Sequence, residues 1–309
     1  VPSNAIIRKW AAAVLLCSCS WVTVGCLGSS MAGAENARPA EETSQSLEPR
    51  TEISLMASGT DAFILMYHDV LSKRTKDALW YDSTAEEFKR DLDRLTAWGA
   101  TFVSMREVHL ALTQDRPLPP RSVAITFDDN YLGFYQNAWP LLKQRRIPVT
   151  MYVHTDFVGG SQGRPKMTWE ILQELVRSDL FTVGSHTQSH PEDFSKLSAD
   201  DQKRELTRSK ALIEEKLGVP VTQVSWPNGK YSAASIRLAK EAGYAFAVAM
   251  DSGLAWHSSS LFEIKRYNPS KIEKAMRDSE LESADPLGSV ELVFKPGEII
   301  KEVGKVDNV

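Results

Sequence analysis

The sequence predicts an α/β fold with a parallel sheet, and a barrel is favoured over an open sheet. The first observation is that short apolar runs alternate with segments of helical periodicity along the chain. The second is that the apolar runs carry almost no polar interruption, which is typical of strands buried on both faces. The third is their number, roughly seven or eight, which suits a closed barrel. Periodicity alone does not separate the two architectures.

The predicted elements follow one another in regular alternation. The strands are apolar runs at 62–67, 101–105, 122–127, 149–153, 181–184, 221–226, 246–250 and 263–267. The helices lie between them, at 83–98, 108–112, 131–145, 169–176, 198–217 and 233–242. Ser83 and Glu86 form a capping-box signature at the start of the first helix. Pro140 lies inside the third helix and is expected to kink it.

The composition is that of an ordinary globular protein. The 309 residues are 42% hydrophobic and 25% charged, enough for one large domain or two small ones. With 36 basic and 40 acidic residues the net charge is −4, so nothing indicates a nucleic-acid partner. We also expect the protein to be a monomer. The three cysteines all lie near the N-terminus, which leaves none for a disulfide in the body of the chain.

The N-terminus has the pattern of an export signal. Arg8 and Lys9 precede an apolar run at 10–27, and Ala32-Gly33-Ala34 follows as a small-residue cleavage site. We therefore predict a signal peptide at 1–34, a linker at 35–60, a single domain at 61–280 and a C-terminal tail at 281–309.

Two alternatives remain open for this segment. Cys26 follows Thr23-Val24-Gly25, a weak match to a bacterial lipoprotein site, so its acylation would attach the protein to a membrane. A retained membrane anchor is the other alternative, since the apolar run is of borderline spanning length. All three interpretations put the body of the protein outside the cytoplasm, in the periplasm or secreted.

Two adjacent carboxylates end the most apolar predicted strand. Asp128 and Asp129 follow Val123-Ala124-Ile125-Thr126-Phe127. The carboxyl ends of parallel strands are where ligands and catalytic groups lie in α/β folds. Two acids side by side repel each other, so a half-buried pair usually needs a cation. The alternative is that one of them only caps the following helix.

A histidine pair follows a later predicted strand and points to a metal. His186 and His190 come directly after the run at 181–184. Their spacing of four would put both imidazoles on one side of a helical turn, where they could chelate one ion. Two histidines and one carboxylate leave coordination positions open, which is the catalytic rather than the structural pattern. The other carboxylate would then be free to act as a general base.

Three motifs, in this order, resemble those of a known family. They are Thr126-Phe127-Asp128-Asp129, then His186-Thr187-Gln188-Ser189-His190, then Trp226-Pro227-Asn228-Gly229. This succession is similar to the polysaccharide deacetylases of carbohydrate esterase family four, the NodB-homology domain, over about residues 63–267. The resemblance implies a distorted (β/α) barrel and metal-dependent removal of N- or O-acetyl groups from glycans.

The resemblance also implies roles for individual residues. Asp128 resembles the general base. Asp129, His186 and His190 resemble the metal ligands, which in the family usually hold Zn²⁺, with Co²⁺ or Ni²⁺ as alternatives. The backbone N–H of Asn228 resembles the donor that stabilises the oxyanion together with the metal.

The sequence departs from the family pattern at three points. The glycine that usually follows the two aspartates is Asn130, which a left-handed backbone also tolerates. The arginine that orients the base is missing from the third motif, where Ser225 and Trp226 stand, so Arg266 at the end of a later predicted strand is the candidate. The late histidine that acts as general acid has no clear match, and His257 is the candidate in that region.

A further similarity narrows the expected substrate. Tyr67-His68-Asp69-Val70 resembles the first strand of the bacterial poly-β-1,6-N-acetylglucosamine N-deacetylases, in which His68 would line the cleft. Trp226 and Trp256 are candidate sugar-stacking platforms. We therefore expect a secreted, metal-dependent deacetylase of an N-acetylglucosamine polysaccharide. Alternative substrates are chitooligosaccharide, peptidoglycan and acetylxylan, and a glycan-binding protein of low activity is the alternative from another class.

Overall fold

The computed structural model describes residues 62–114, 116–161 and 163–284. The predicted signal peptide, the linker, Cys26 and most of the predicted tail lie outside these residues. The strands are short, mostly three to seven residues, and run β1 (Phe63–Tyr67), β2 (Val70–Leu71), β3 (Ser83–Thr84), β4 (Thr101–Val103), β5 (Ser122–Asp128), β6 (Val149–Val153), β7 (Phe181–Ser185), β8 (Gln223–Ser225) and β9 (Phe246–Val248).

Seven of these strands form one parallel sheet. Its order is β1-β5-β6-β7-β8-β9, with β4 also paired to β5, while β2 and β3 form a small separate sheet. Every side chain of β1, β5 and β6 is buried, as expected of strands covered on both faces. The predicted parallel α/β barrel fold is therefore confirmed.

The segment 264–267 closes the sheet into a barrel. Ile264 bridges to Val248 in β9, and Tyr267 bridges to Leu65 in β1, both in parallel. The backbone N–H of Met66 donates to Tyr267 at 2.9 Å, and that of Tyr267 donates to Ile64 at 2.7 Å. The two edges of the open sheet are thus joined through this short segment, which the sequence predicted as a full strand.

Seven α-helices are described, and most of them connect successive strands. They are α1 (Ala85–Trp98), α2 (Met105–Gln114), α3 (Trp139–Gln144), α4 (Trp169–Leu175), α5 (Ala199–Leu217), α6 (Ala233–Glu241) and α7 (Ile272–Ala284). The last of these was not predicted, and it crosses the expected domain end at residue 280. In the described ranges, no helix combines the length and the apolar character needed to cross a membrane.

Two helix starts differ from the sequence prediction. The capping box of α1 uses Thr84 and Glu87, one residue later than predicted, because Thr84 directly precedes the helix and its hydroxyl accepts the Glu87 N–H at 3.2 Å. The predicted helix at 131–145 is divided into a π-helix at Phe134–Ala138 and α3. Pro140 stands in the first turn of α3, where its missing N–H costs nothing, and the backbone stays right-handed helical across the junction, so a change of helix type takes the place of the expected kink.

Candidate active site

The register of the sheet puts the ends of four strands side by side. Tyr67 pairs with Phe127, Asp128 with Tyr152, and Val153 with Ser185. The residues that come next along the chain therefore emerge at the same mouth of the barrel. They carry most of the ionisable side chains of the site, namely His68, Asp129, His154 and His186.

Asp128 is held by a buried arginine from the closing segment. Arg266 has no exposed surface, and its Nη1 and Nη2 donate to the two carboxylate oxygens of Asp128 at 2.9 and 2.8 Å. Ser225 in β8 adds a hydrogen bond from its hydroxyl to Asp128 at 3.2 Å, and it also accepts from Arg266 at 2.9 Å. A two-pronged contact of this kind fixes both the position and the plane of the carboxylate.

The same contact sets the charge of Asp128. Burial by itself raises the pKa of this carboxyl, but the Arg266 guanidinium, His186 and the two hydrogen bonds from Arg266 outweigh burial and hold the pKa well below its usual range. Asp128 is therefore ionised at neutral pH, as a general base must be.

Asp129, His186 and His190 form the one group in the described chain that could hold a metal. Their ligand atoms all lie within 4.8 Å of one another. Asp129 Oδ1 is 3.5 Å from His186 Nε2 and 3.7 Å from His190 Nε2. These gaps are too long for hydrogen bonds. They are near the roughly 3.3 Å that separates neighbouring ligands of a tetrahedral Zn²⁺ with bonds of about 2.0 Å.

Two further observations support a cation at this point. Asp129 Oδ1 is buried and has no hydrogen-bond partner in the described part of the chain, which is costly for a carboxylate unless an ion satisfies it. His186 Nδ1 lies 2.8 Å from the Ser225 carbonyl, and a proton on Nδ1 leaves the Nε2 lone pair free for a metal. The residues therefore fit a divalent ion.

The loop after β7 reaches this arrangement without the expected helical turn. Residues 186–190 form a bend rather than a helix, with positive φ at Thr187 (66°) and at His190 (50°). Glu205 in α5 supports the loop, since its carboxylate accepts the backbone N–H of Gln188 and of Ser189 at 2.9 and 2.8 Å. The histidine pair thus meets because α5 holds a left-handed bend in place.

His154 is a site residue that was not predicted from the sequence. It follows β6, is almost fully buried, and its Nε2 lies 3.6 Å from Asp129 Oδ1. Burial lowers the pKa of His154 to about 3 and that of His190 to about 4, so both imidazoles are neutral at neutral pH. The strand-end rule that drew attention to Asp128 would also have found His154.

His68 faces the same cluster from the end of β1. Burial lowers the pKa of His68, while the charges of Asp128 and Asp129 raise it by a smaller amount. Both carboxylates therefore act on the protonation of this imidazole. Its ring lies 4.5 Å from that of Tyr81, and its Nδ1 is buried without a partner within the described ranges. His68 therefore lines the mouth beside the two aspartates.

Two of the sequence-based expectations are contradicted by the structure. The His257 side chain is 42% exposed and lies 3.7 Å from Glu282 in α7, so it is not brought to the cluster and is wrong as the general acid. Trp226 has no exposed surface, and its indole N–H donates to the Phe262 carbonyl at 2.8 Å. It is a core residue and cannot stack on a sugar.

Of the other two predicted residues, one is also misplaced. Trp256 packs against His257 with ring centroids 3.9 Å apart, and the N–H of its neighbour Ala255 donates to the Ala62 carbonyl at 3.0 Å, at the opposite end of β1 from the mouth, so Trp256 is wrong as a sugar-stacking platform there. Asn228 is exposed in a short 3₁₀ turn with φ of 52°, and its side chain donates to the Glu192 carbonyl at 3.2 Å. Asn tolerates this left-handed backbone better than most residues.

The chain is similar in sequence to known polysaccharide deacetylases. Residues 115–247 match the family model for polysaccharide deacetylases. YxkH of Bacillus subtilis, a protein named for the same family, is 26% identical over 270 residues, which cover 84% of this chain and 92% of YxkH. A poly-β-1,6-N-acetyl-D-glucosamine N-deacetylase of Staphylococcus epidermidis is 30% identical over 139 residues, which cover 41% of this chain and 48% of that enzyme.

A solved structure extends the likeness to the fold. IcaB from Ammonifex degensii superposes with a TM-score of 0.63 at 25% identity, covering 71% of this chain and 97% of IcaB. Residues 115–247 therefore carry a polysaccharide deacetylase domain, and the chain is similar in sequence and fold to enzymes of that family, which hydrolyse N-acetyl amide bonds.

Proposed function

We propose that this protein is a metal-dependent N-deacetylase of a β-1,6-linked N-acetylglucosamine polysaccharide. The observation that carries the proposal is the pairing of two different carboxylates at one mouth. The charge of the Asp128 carboxylate is balanced by Arg266, which also orients it. Asp129, in contrast, has a buried oxygen without a partner among the described residues, available for an ion between two histidines. A site built only to bind a glycan has no need of a base beside a metal site.

The metal would be held by Asp129, His186 and His190. Zn²⁺ is our first choice, because neutral imidazoles and a carboxylate are its common ligands, with Co²⁺ and Ni²⁺ as alternatives. A divalent ion in such a site polarises the amide carbonyl and makes a water molecule more acidic.

Asp128 is the residue that would take a proton from the attacking water. Its ionisation is maintained by the Arg266 contact, and its position is fixed by both oxygens. Addition of the water oxygen to the amide carbon gives a tetrahedral species, and the backbone N–H of Asn228 is the donor that we assign to its oxygen. The C–N bond then breaks to give acetate and a free amine.

His68 is the residue that we assign to protonation of the leaving nitrogen. It is a titratable side chain at the same mouth, and burial lowers its pKa, so its imidazole rests neutral and would pass on the proton that Asp128 takes from the water. His257 cannot serve, for the reason given above. We expect His68→Ala to lower kcat with little change in KM, since the protonation is needed only as the C–N bond breaks.

The substrate assignment rests on the relatives. Poly-β-1,6-N-acetyl-D-glucosamine N-deacetylases of Staphylococcus epidermidis and Staphylococcus aureus align with 41% and 62% of this chain. The local likeness around His68 supports the same substrate. Export to the periplasm or the medium, as the N-terminal pattern predicts, would bring the enzyme to such a polymer.

The test is acetate release by the purified protein loaded with Zn²⁺, Co²⁺ or Ni²⁺. The substrates are β-1,6- and β-1,4-linked N-acetylglucosamine oligomers and acetylxylan, with Asp128→Asn as the matched control. Metal-dependent acetate from the β-1,6 oligomers, lost in the control, is the expected result. Release from β-1,4 oligomers alone would move the substrate to chitin or peptidoglycan. Metal binding without any acetate would leave a glycan-binding protein.

A further inference from the structure

A cavity lies beside the candidate active site and is not used by the mechanism above. Its volume is about 210 Å³, comparable to one sugar ring, and its walls include Trp80, Tyr81, Asp91 and Asn268. We call it the Trp80 cavity. It combines an aromatic ring with carboxylate, guanidinium and amide groups, the mixture that a polyhydroxylated ligand requires.

Trp80 is the most exposed large apolar side chain of the described residues, at 75%. Its ring meets the Tyr81 ring edge-to-face, with centroids 5.4 Å apart, and this contact leaves most of the indole in water. An exposed indole forgoes the stabilisation that burial would give, so a ligand that covers it is favoured. The CH groups on one face of a pyranose ring form a flat apolar surface of suitable size.

The polar walls of the Trp80 cavity have hydrogen-bonding capacity to spare. Asn268 Nδ2 is buried and has no partner among the described residues, although its Oδ1 accepts from the Ser270 N–H at 3.0 Å. Asp91 accepts a hydrogen bond from the Tyr67 hydroxyl at 3.1 Å, and a carboxylate has room for further donors. A sugar hydroxyl can accept from an amide and donate to a carboxylate, so it suits both groups.

Two chain segments connect the Trp80 cavity to the candidate active site. Tyr81 forms one wall, and its ring also packs on His68 at 4.5 Å. Asn268 forms another wall and stands two residues after Arg266, which binds Asp128. A polymer whose one unit lies over Asp128 could therefore extend directly along Tyr81 towards Trp80.

We propose that the Trp80 cavity binds a sugar ring of the polymer adjacent to the unit that is deacetylated. This inference rests on the proposed function and adds to it a site that selects for chain length. Oligomers long enough to reach Trp80 gain the stacking contact, whereas a small acetylated compound does not.

The test compares kcat/KM for two substrates in the metal-loaded full chain. One is a β-1,6-linked N-acetylglucosamine pentamer, and the other is a small aryl acetate ester without a sugar. We expect Trp80→Ala to lower the pentamer-to-ester ratio of kcat/KM roughly tenfold, through KM, because that is the scale of one aromatic contact. Trp80→Phe keeps a flat ring and should restore most of the ratio. An unchanged ratio in Trp80→Ala overturns the inference.

Two matched variants separate a sugar contact from a general apolar one. Leu79 is 41% exposed in the same loop but does not line the cavity, and Leu281 is 69% exposed on α7. Only Trp80→Ala should change the ratio. An equal fall of the kcat/KM ratio in Leu79→Ala would show a general apolar contact. If Trp80→Ala and Leu79→Ala reduce only sedimentation with anionic lipid vesicles, the loop binds a membrane. Either result would overturn the sugar site.

Direct binding keeps this inference distinct from the proposed activity. If the wild-type protein releases no acetate, the proposed function fails, and pentamer affinity is then measured by titration calorimetry. A weaker affinity in Trp80→Ala than in Leu281→Ala would still support the sugar site, whereas equal affinities would overturn it.

Discussion

Replacing Arg266 with Met should destabilise the fold and disable Asp128 at the same time. Arg266 has no exposed surface and donates hydrogen bonds to Ala249, Thr126, Ser225 and both oxygens of Asp128. Methionine fills part of the same space but leaves the Asp128 carboxylate buried without its cation. The lost charge also raises the pKa of Asp128, so the base becomes protonated at higher pH than in the wild type.

The size of the effect follows from the burial of the pair. Removing one partner of a buried ion pair costs about 3–5 kcal/mol, because the other charge is left uncompensated. For a domain of this size that corresponds to a fall in Tm of roughly 6–20 °C. The pKa of Asp128 is depressed in the folded state, so the stabilisation is present above the unfolded value of about 3.9 and is lost as the pH falls below it.

The assay is a double-mutant cycle on the metal-free protein. Urea unfolding is measured for the wild type, Arg266→Met, Asp128→Asn and the double variant. The double variant lacks both charges, so it should be more stable than the sum of the single changes predicts, by about 2 kcal/mol or more. Additivity within about 0.5 kcal/mol would refute the reasoning, because it would mean that the two buried groups are not coupled.

Three further predictions concern the metal, the packing and the pH dependence. His190→Ala should weaken Zn²⁺ binding by roughly 100-fold or more in calorimetry, while His257→Ala, an exposed histidine outside the cluster, should not; equal losses would contradict the ligand assignment. Gly184→Ala should cost about 1–3 kcal/mol in urea unfolding, because the added Cβ would lie 2.6 Å from the Tyr152 ring and 2.9 Å from Gln223, and an unchanged midpoint would show that this strand has room. Burial raises the pKa of Asp91 to about 6, so the stabilisation from its protonated form is present below about pH 4 and is lost as the pH rises through about 6. Relative to wild type, Asp91→Asn should therefore gain about 1 kcal/mol between about pH 4 and about pH 8 in thermal unfolding, after allowance for partial exposure, and the same difference at both pH values would disprove it.

The parts of the site that follow strands could be predicted from the sequence. Asp128, Asp129 and His186 each come at the end of an apolar run, and the parallel register gathers such ends at one mouth. His154 obeys the same rule and was overlooked because no motif drew attention to it. Local pattern is sufficient here because one pairing rule decides the position of several side chains.

Other features depend on contacts that no local pattern reveals. The bend that brings His190 to Asp129 contains no glycine, and its left-handed residues are held by Glu205 from a helix further along the chain. An indole such as that of Trp226 has both an apolar ring and a polar N–H, so it can face either a ligand or the core. Here its N–H donates to the Phe262 carbonyl inside the core. Whether an indole faces a ligand or the core depends on such long-range partners, so the prediction failed there.

The closure of the barrel by 264–267 has a consequence for how the enzyme matures. A nascent chain that has emerged only as far as Val248 already holds both aspartates and the two histidines of the candidate metal site, but not Arg266. A domain generally folds as a unit, so the earlier strands alone do not form the complete site. The base therefore acquires its cation only when the last segment docks between β9 and β1. Under the proposed function, Asp128 becomes an oriented base only when the barrel is complete.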